Sequence, residues 1–580
     1  MLEKIIVMFT GLLSQFAPAQ EQYPKNYFRS PIDTSIVLAG NFAELRPNHF
    51  HMGIDIKTNN HEGMPVHAAA DGYVSRVKFS SFGYGKVLYV THPNGYVSVY
   101  GHLSSFNDSI GVYMKTRQYA SKTVELELFP KPNELPVKKG EVIAYSGNTG
   151  NSGGPHIHFE IREEKTEKAT NPLLWGFEVK DNKKPQVTRV KIYPADENAR
   201  VNGKNEALEL QVNQGKQGFT TSAKEPVLVS GPIYFGLQAF DTETYGGGKN
   251  GVYSIELWVN KKLIYHHEMD KIGFDEMRTI NSFIELPEYQ KTGKLIQRSY
   301  VEPNNRLQIY KFVSNRGVIN FNTDSTYKVE YILKDIEGNT TTVKFPVKSV
   351  PTDASTKTSD STGCSSFFSY DKKNSYHTSD FMIDMPENVL YNNICFIYSS
   401  SLTNTKGYYS NLHHVHAATL PVNDFFTISI KSKPVPDSLK KHLFIAKIHP
   451  GGRKEYIGGE WHDDLLTAKT KEFGDYAICA DTVAPVIIPV NINPGKKIGA
   501  QKSIELKITD NLSGLAHYEA YLDGNWILMD YEYKQNKLFY IIDRSKQYNP
   551  FNKQDEKHLF KLQATDKAGN TRVYKTTLVL

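Results

Sequence analysis

The sequence predicts a mainly β protein, with an N-terminal all-β domain followed by β-sandwich modules in series. Three observations predict it. The chain has 580 residues, more than one hydrophobic core can serve. Apolar and polar residues alternate in short runs bounded by Gly, Asn and Pro, the pattern of half-buried strands. Aromatic residues reach 12%, with 35 Tyr, which suits pleated packing surfaces.

Composition also narrows the function classes. Hydrophobic residues at 39% and charged residues at 22% exclude wholesale disorder. The net charge of +6 over this length gives no case for a nucleic-acid partner. No internal stretch is long and apolar enough to span a bilayer, so the mature chain is expected to have no transmembrane span. The three cysteines are Cys364, Cys395 and Cys479. They cannot build a disulfide framework or a zinc site made of four cysteines. One pair and one free thiol are possible, and the sequence does not say which.

Residues 1–19 read as a signal peptide. Ile5 to Leu13 form an apolar run, and Ala17-Pro18-Ala19 offers a small-x-small cleavage site. Export to the periplasm, the cell surface or the medium is therefore expected. Residues 20–180 form the first domain. VSRVKF, KVLYVTH and YVSVYGH read as strands, and Pro93-Asn94-Gly95 as the hairpin turn between the last two. The stretch 107–137 breaks the pattern and reads as an inserted loop or hairpin, with 109–136 a candidate groove wall or lid.

From 185 onward strand follows strand, with a weak internal repeat. Residues 239–264 resemble 507–527, each with an Asp (Asp241, Asp510) and a Gly ahead of an alternating strand. Residues 333–347 resemble 564–580, and both carry D-x-x-G-N-T, from Asp335 and from Asp566. These segments predict β-sandwich modules over 185–350 and 483–580, similar to bacterial immunoglobulin-like domains. The Ser/Thr/Asp-rich stretch 351–363 reads as a linker. A third β-rich module fills 364–482, ending in a strand entered through a tyrosine-bearing corner at Tyr476. Lys180 to Lys184 read as solvated linker.

The chemistry lies in three histidine motifs of the first domain: His51-Met52-Gly53-Ile54-Asp55, Tyr100-Gly101-His102-Leu103, and His156-Ile157-His158 after the Gly-rich run 147–154. Strand side chains alternate, so His156 and His158 share one face, while Ile157, Phe159 and Ile161 face the core. Two imidazoles about 7 Å apart on one face can bind a metal together, or divide the work of ligand and base. His51 and Asp55 add one nitrogen and one oxygen. Two His and one Asp leave a tetrahedral position open, as a catalytic zinc site requires. Other histidines carry less. His266-His267 point to opposite faces of a strand, and His413 to His416 have no carboxylate or Cys at ligand spacing in sequence. The Gly-rich run lacks a Gly-Lys-Ser/Thr ending and is not a phosphate loop.

These motifs, with AAADGYVSRV (68–77), VYGHLSSF and KKGEVIAYSGNTGNSGGPHIHFEI, resemble the lysostaphin-like (LytM-type) family of peptidoglycan zinc metalloendopeptidases over about residues 40–177. The resemblance implies one Zn2+ per catalytic domain, held by His51, Asp55 and His158. It implies that His102 and His156 are catalytic, activating the water and stabilising the oxyanion. It implies peptidoglycan as the substrate, with peptide cross-links hydrolysed by a metal-activated water. The C-terminal modules are then candidates for docking cell-envelope proteins. The alternative reading is a catalytically silent relative that binds and activates another cell-wall hydrolase.

Overall fold

A computed structural model describes residues 23–215, 218–245, 248–351, 363–403, 406–543 and 557–579. The signal peptide expected over 1–19 and most of the linker at 351–363 lie outside the described residues. The described chain is mainly β, as the patterning predicts.

The first domain is organised by one antiparallel sheet. Its strands are β1 (Leu38–Gly40), β2 (Ile54–Lys57), β3 (Gly72–Phe79), β4 (Lys86–Thr91) and β5 (Tyr96–Leu103). After helix α1 (Asp108–Ser121) come β6 (Leu126–Leu128), β7 (His156–Glu163) and β8 (Ala169–Thr170). The order across the sheet is β1-β2-β7-β5-β4-β3-β6. The Pro93-Asn94-Gly95 turn joins β4 to β5, with Gly95 at φ 80° and the His92 N–H bonded to the Tyr96 carbonyl. Ile157, Phe159 and Ile161 of β7 enter a core with Ile54, Ile56 and Tyr100.

The inserted stretch is not the loop or hairpin that the sequence reading expects. It forms the 14-residue helix α1, followed by β6 on the edge of β3. Asn107 caps the helix by accepting from the Ile110 N–H. Ile110, Met114 and Gln118 recur every four residues and turn to the interior. Only two of these are apolar, too thin a stripe to stand out in the sequence.

The first domain and the next are welded together. Strand β8 pairs with β9 (Lys271–Ile272), which belongs to the segment after 185. Phe42, Phe50, Met52 and Ala169 share one hydrophobic cluster with Met269, Ile272, Ile280 and Phe283. Beyond this seam, residues 186–349 build a twelve-stranded sheet system around their own core. Two five-stranded sheets enclose a core over 366–480. There Tyr476 donates from its hydroxyl to the Glu472 carbonyl at 2.5 Å, a corner of the kind expected. Cys364 pairs with Cys395 as a disulfide, and Cys479 is the buried free thiol, pushed up to about 11 by burial. A four-stranded and a five-stranded sheet pack face to face over 486–579.

Candidate metal centre and its groove

Register brings the centre together. Along β7, His158 lies opposite Asp55 of β2 on one side and Gly101 of β5 on the other. The turn carrying His51 lies against β7 at Gly53, where a Cβ would sit 2.3 Å from the Phe159 carbonyl oxygen. Only glycine permits that approach.

The outer atom of each ligand candidate is committed to the protein. His51 donates from Nδ1 to the Asn41 carbonyl at 2.7 Å. His158 donates from Nε2 to Glu160 at 2.7 Å. Asp55 Oδ2 accepts from Arg46 at 2.5 Å. The inner atoms therefore face one another: His51 Nε2, His158 Nδ1 and Asp55 Oδ1 lie 2.8 to 3.1 Å apart in pairs. Two imidazole nitrogens and one carboxylate oxygen directed at one point, all buried, form a donor set that fits a borderline-soft cation such as zinc, which would displace the proton His158 shares with Asp55.

The charges follow from this packing. Burial holds His51 down at about 4 despite the neighbouring Asp55 carboxylate. Burial also opposes charge on His158, but the Asp55 and Glu160 carboxylates outweigh it and push His158 up to about 9. Burial would raise Asp55, yet the imidazoles of His51, His156 and His158 hold its carboxyl well below the usual range.

His102 and His156 stand beside this set, their ring centroids 4.8 Å apart. His102 donates from Nδ1 to the Thr149 carbonyl, and His156 from Nδ1 to the Gly154 carbonyl, each at 2.8 Å. Nδ1 of each ring is thereby engaged by a carbonyl, which leaves Nε2 for other partners. His156 Nε2 lies 3.3 Å from Asp55 Oδ1. Burial, then the imidazoles of His158 and His156, push His102 down to about 3. Its backbone is left-handed at φ 59°, a costly conformation for a non-glycine residue. All five sequence-identified residues thus converge on one site.

Sequence reasoning missed the groups behind them. Glu160 is 0% exposed in its side chain and accepts from His158, from Tyr84 Oη at 2.6 Å and from Arg162 Nε at 2.6 Å. It is held down at about 2, as Arg162 and His158 overcome the cost of burial. The signal was present: His156, His158, Glu160 and Arg162 occupy alternate positions of one strand.

The loops beside the site, including the Gly-rich run 147–154, meet C-terminal residues. Tyr533 donates to Asn151 at 2.8 Å, and its ring lies 4.6 Å from that of Phe82. Lys534 donates to the Asn148 carbonyl, and Lys86 pairs with Asp530 at 3.5 Å. Tyr119 of α1 meets Trp526 edge-on at 5.3 Å.

His49 lies near enough to feel the charge of His158 and Arg46, whereas the histidines of the 364–482 module are apart from this site. His413 is buried against Tyr398, and His414 pairs with Asp475, a carboxylate supplied by the neighbouring strand rather than by sequence proximity.

Comparison with known proteins agrees with this geometry. Residues 49–125 and 131–172 match the family described as Peptidase family M23, and residues 365–481 match a Zu5-like domain. An uncharacterized metalloprotease of Haemophilus influenzae is 37% identical over 129 residues, 22% of this chain and 21% of that protein. The DD-carboxypeptidase/endopeptidase Mpg of Neisseria meningitidis serogroup B is 35% identical over 112 residues, 19% of this chain and 20% of that protein. The peptidoglycan DD-endopeptidase ShyC of Vibrio cholerae is 30% identical over 143 residues, 24% of this chain and 27% of that protein. The chain thus spans about a fifth to a quarter of the length of these curated relatives. Its first domain is a lysostaphin-type M23 peptidase domain.

Proposed function

We propose that this chain, which carries an M23 peptidase domain, is an exported zinc metalloendopeptidase that hydrolyses peptide cross-links of bacterial peptidoglycan. The observation that carries the reading is the convergence of His51 Nε2, Asp55 Oδ1 and His158 Nδ1, with His102 and His156 alongside. Relatives described as a metalloprotease, a DD-carboxypeptidase/endopeptidase and a peptidoglycan DD-endopeptidase support the substrate class.

His51, Asp55 and His158 would hold one zinc ion. When bound, zinc polarises a scissile carbonyl and lowers the pKa of its water toward about 7. Every other task falls to side chains of this chain. Asn41, Glu160 and Arg46 fix the outer faces of the three ligands, so their inner atoms need not reorganise during turnover. His102 and His156 are held by carbonyls at Nδ1 and offer Nε2 to the reacting groups. In that position Nε2 takes the proton of the attacking water, and once protonated it donates to the developing oxyanion or the leaving amine. The Gly-rich rim leaves the substrate backbone room to approach.

The test is digestion of purified cross-linked peptidoglycan by the zinc-loaded full chain, with His158→Ala in parallel and mass spectrometry of the products. Wild type is expected to release uncrosslinked peptides, and His158→Ala to release none while losing its zinc. Zinc-loaded wild type that leaves the polymer intact overturns the reading, and points instead to a silent relative that acts through another hydrolase.

A further inference from the structure

The internal repeat places two acidic turns in the chain, and they are not equal. Asp181, Asp241 and Asp335 of the first copy correspond to Asp481, Asp510 and Asp566 of the second. Asp181 and Asp481 each stand four residues before a proline, and Asp335 and Asp566 each open D-x-x-G-N-T. Two residues after the second and third of these acids, the first copy adds Glu243 and Glu337. The second copy has Leu512 and Ala568 there.

The second copy also brings ligand atoms of its three acids within 4.8 Å and leaves Asp510 Oδ1 buried without a partner, but it satisfies most of its carboxylate oxygens with its own chain. Asp481 accepts from the Val483 and Ser513 N–H groups at 3.1 and 2.9 Å. Asp510 Oδ2 accepts from Leu512 and Gly514, and Asp566 accepts from the main chain and side chain of Asn570. In the first copy Asp335 keeps the matching pair of bonds from Asn339. The others do not. Asp181 Oδ2, Asp241 Oδ1 and Glu243 Oε2 are buried with no hydrogen-bond partner, as is Asn250 Oδ1. Asp241 is 6% exposed, Glu243 7% and Asn250 4%. Unsatisfied acceptors at such depth are costly unless a cation meets them.

The five carboxylates line one small cavity of about 20 Å³, the size of a single ion or water. Ligand atoms of Asp181, Asp335 and Glu337 lie within 4.8 Å of one another. Burial, then the charge of Asp335, pushes Asp241 up to about 7. Glu243 is pushed to about 7 by burial and Asp181, with Lys57 and Lys183 only partly offsetting them. The cluster thus carries more negative charge than its own cations balance.

We propose that Asp181, Asp241, Glu243, Asp335 and Glu337 bind a calcium ion at the seam between the peptidase domain and the module that follows it. The donors are all oxygen, which selects a hard cation. Several carboxylates at loop positions suit the six to eight flexible ligands of Ca2+ better than the strict octahedron of Mg2+. The site is independent of the peptidase chemistry, yet it touches it: Asn41 lines the same cavity, and its carbonyl holds His51.

Calorimetric titration of the zinc-loaded, calcium-free full chain with CaCl2 tests this, with zinc content followed by metal analysis. One Ca2+ per chain is expected, with Kd between about 10⁻⁶ and 10⁻³ M and no comparable heat from MgCl2. Asp241→Asn combined with Glu243→Gln should abolish the binding with zinc retained, and Asp510→Asn should leave it unchanged. No calcium binding by wild type, Mg2+ bound as tightly as Ca2+, or unaltered binding by the double variant overturns the site. Should that variant fail to fold, Tb3+ luminescence decides. Tyr253 lines the cavity, so tyrosine-sensitised emission should appear in wild type, be displaced by Ca2+ and fall in Tyr253→Phe. Emission undiminished in Tyr253→Phe, or indifferent to Ca2+, overturns the site equally.

Discussion

The histidine cluster at β2 and β7 and the carboxylate cluster at the domain seam both gather potential ligands, with atoms of His51, Asp55 and His158 in one and of Asp181, Asp335 and Glu337 in the other within 4.8 Å; the first group is fully buried, whereas Glu337 of the second is exposed. They differ in how the protein treats the atoms facing away. At the histidine cluster, Asn41, Arg46 and Glu160 engage every outer atom, which aims one nitrogen or oxygen per residue at a fixed centre. At the carboxylate cluster, oxygens from two separate segments, Asp181 and Asp241 with Glu243, are left unengaged inside a cavity. The first arrangement is rigid and mixed in donor type, and suits a metal that does chemistry. The second is all oxygen and built on loops, and suits an ion that holds parts of the chain together.

The comparison can be broken at its catalytic end first. His102→Ala and His156→Ala should each lower kcat by about 10²–10⁴-fold with zinc content unchanged. A metal-loaded His102→Ala that turned over normally would erase the division between ligands and acid-base groups. A smaller effect tests the supports. Glu160→Gln keeps an acceptor for His158 but removes its charge, and should weaken zinc affinity about 10–100-fold, read by competition with a chelator. Zinc affinity equal to wild type would show that Glu160 serves only Arg162 and Tyr84. The smallest effect lies in the second acidic turn. Asp566→Ala should cost about 1–3 kcal/mol in thermal stability through its lost bonds to Asn570. Zinc and calcium stoichiometry should both stay unchanged, and a lost calcium ion there would make the two turns equivalent after all.

The centre was legible because its residues are local in sequence. His51 lies on the turn that leads into Asp55 on β2, and His156 and His158 alternate on one strand, so their spacing is visible in the sequence. Glu160 and Arg162 obey the same alternation, but a charged pair on alternate strand positions looks in sequence like a solvated face, and only the fold shows both side chains buried. Helix α1 was hidden by its thin apolar stripe. The carboxylate cluster was illegible for a different reason. Asp181, Asp241 and Asp335 are distant in sequence, and only the folded sheets join them. Read alone, Lys180 to Lys184 pass for solvated linker, yet Asp181 Oδ2 is buried and Lys183 donates to the Glu243 carbonyl. The repeat of Asp and Gly-Asn turns was visible, but the added Glu243 and Glu337 gain meaning only beside their counterparts Leu512 and Ala568.

The seam has a consequence for how this chain can be cut. The Asn41 side chain makes two hydrogen bonds to the Gly251 backbone while its carbonyl steadies His51. A fragment that ends near residue 180 would keep every proposed zinc ligand, yet it would lose that brace, the partner strand of Ala169–Thr170 and the apolar cover over Phe50 and Met52. Inactivity of such a fragment would report a damaged scaffold rather than a missing targeting device. The peptidase is better treated as the first half of a two-domain folding unit than as a portable cassette.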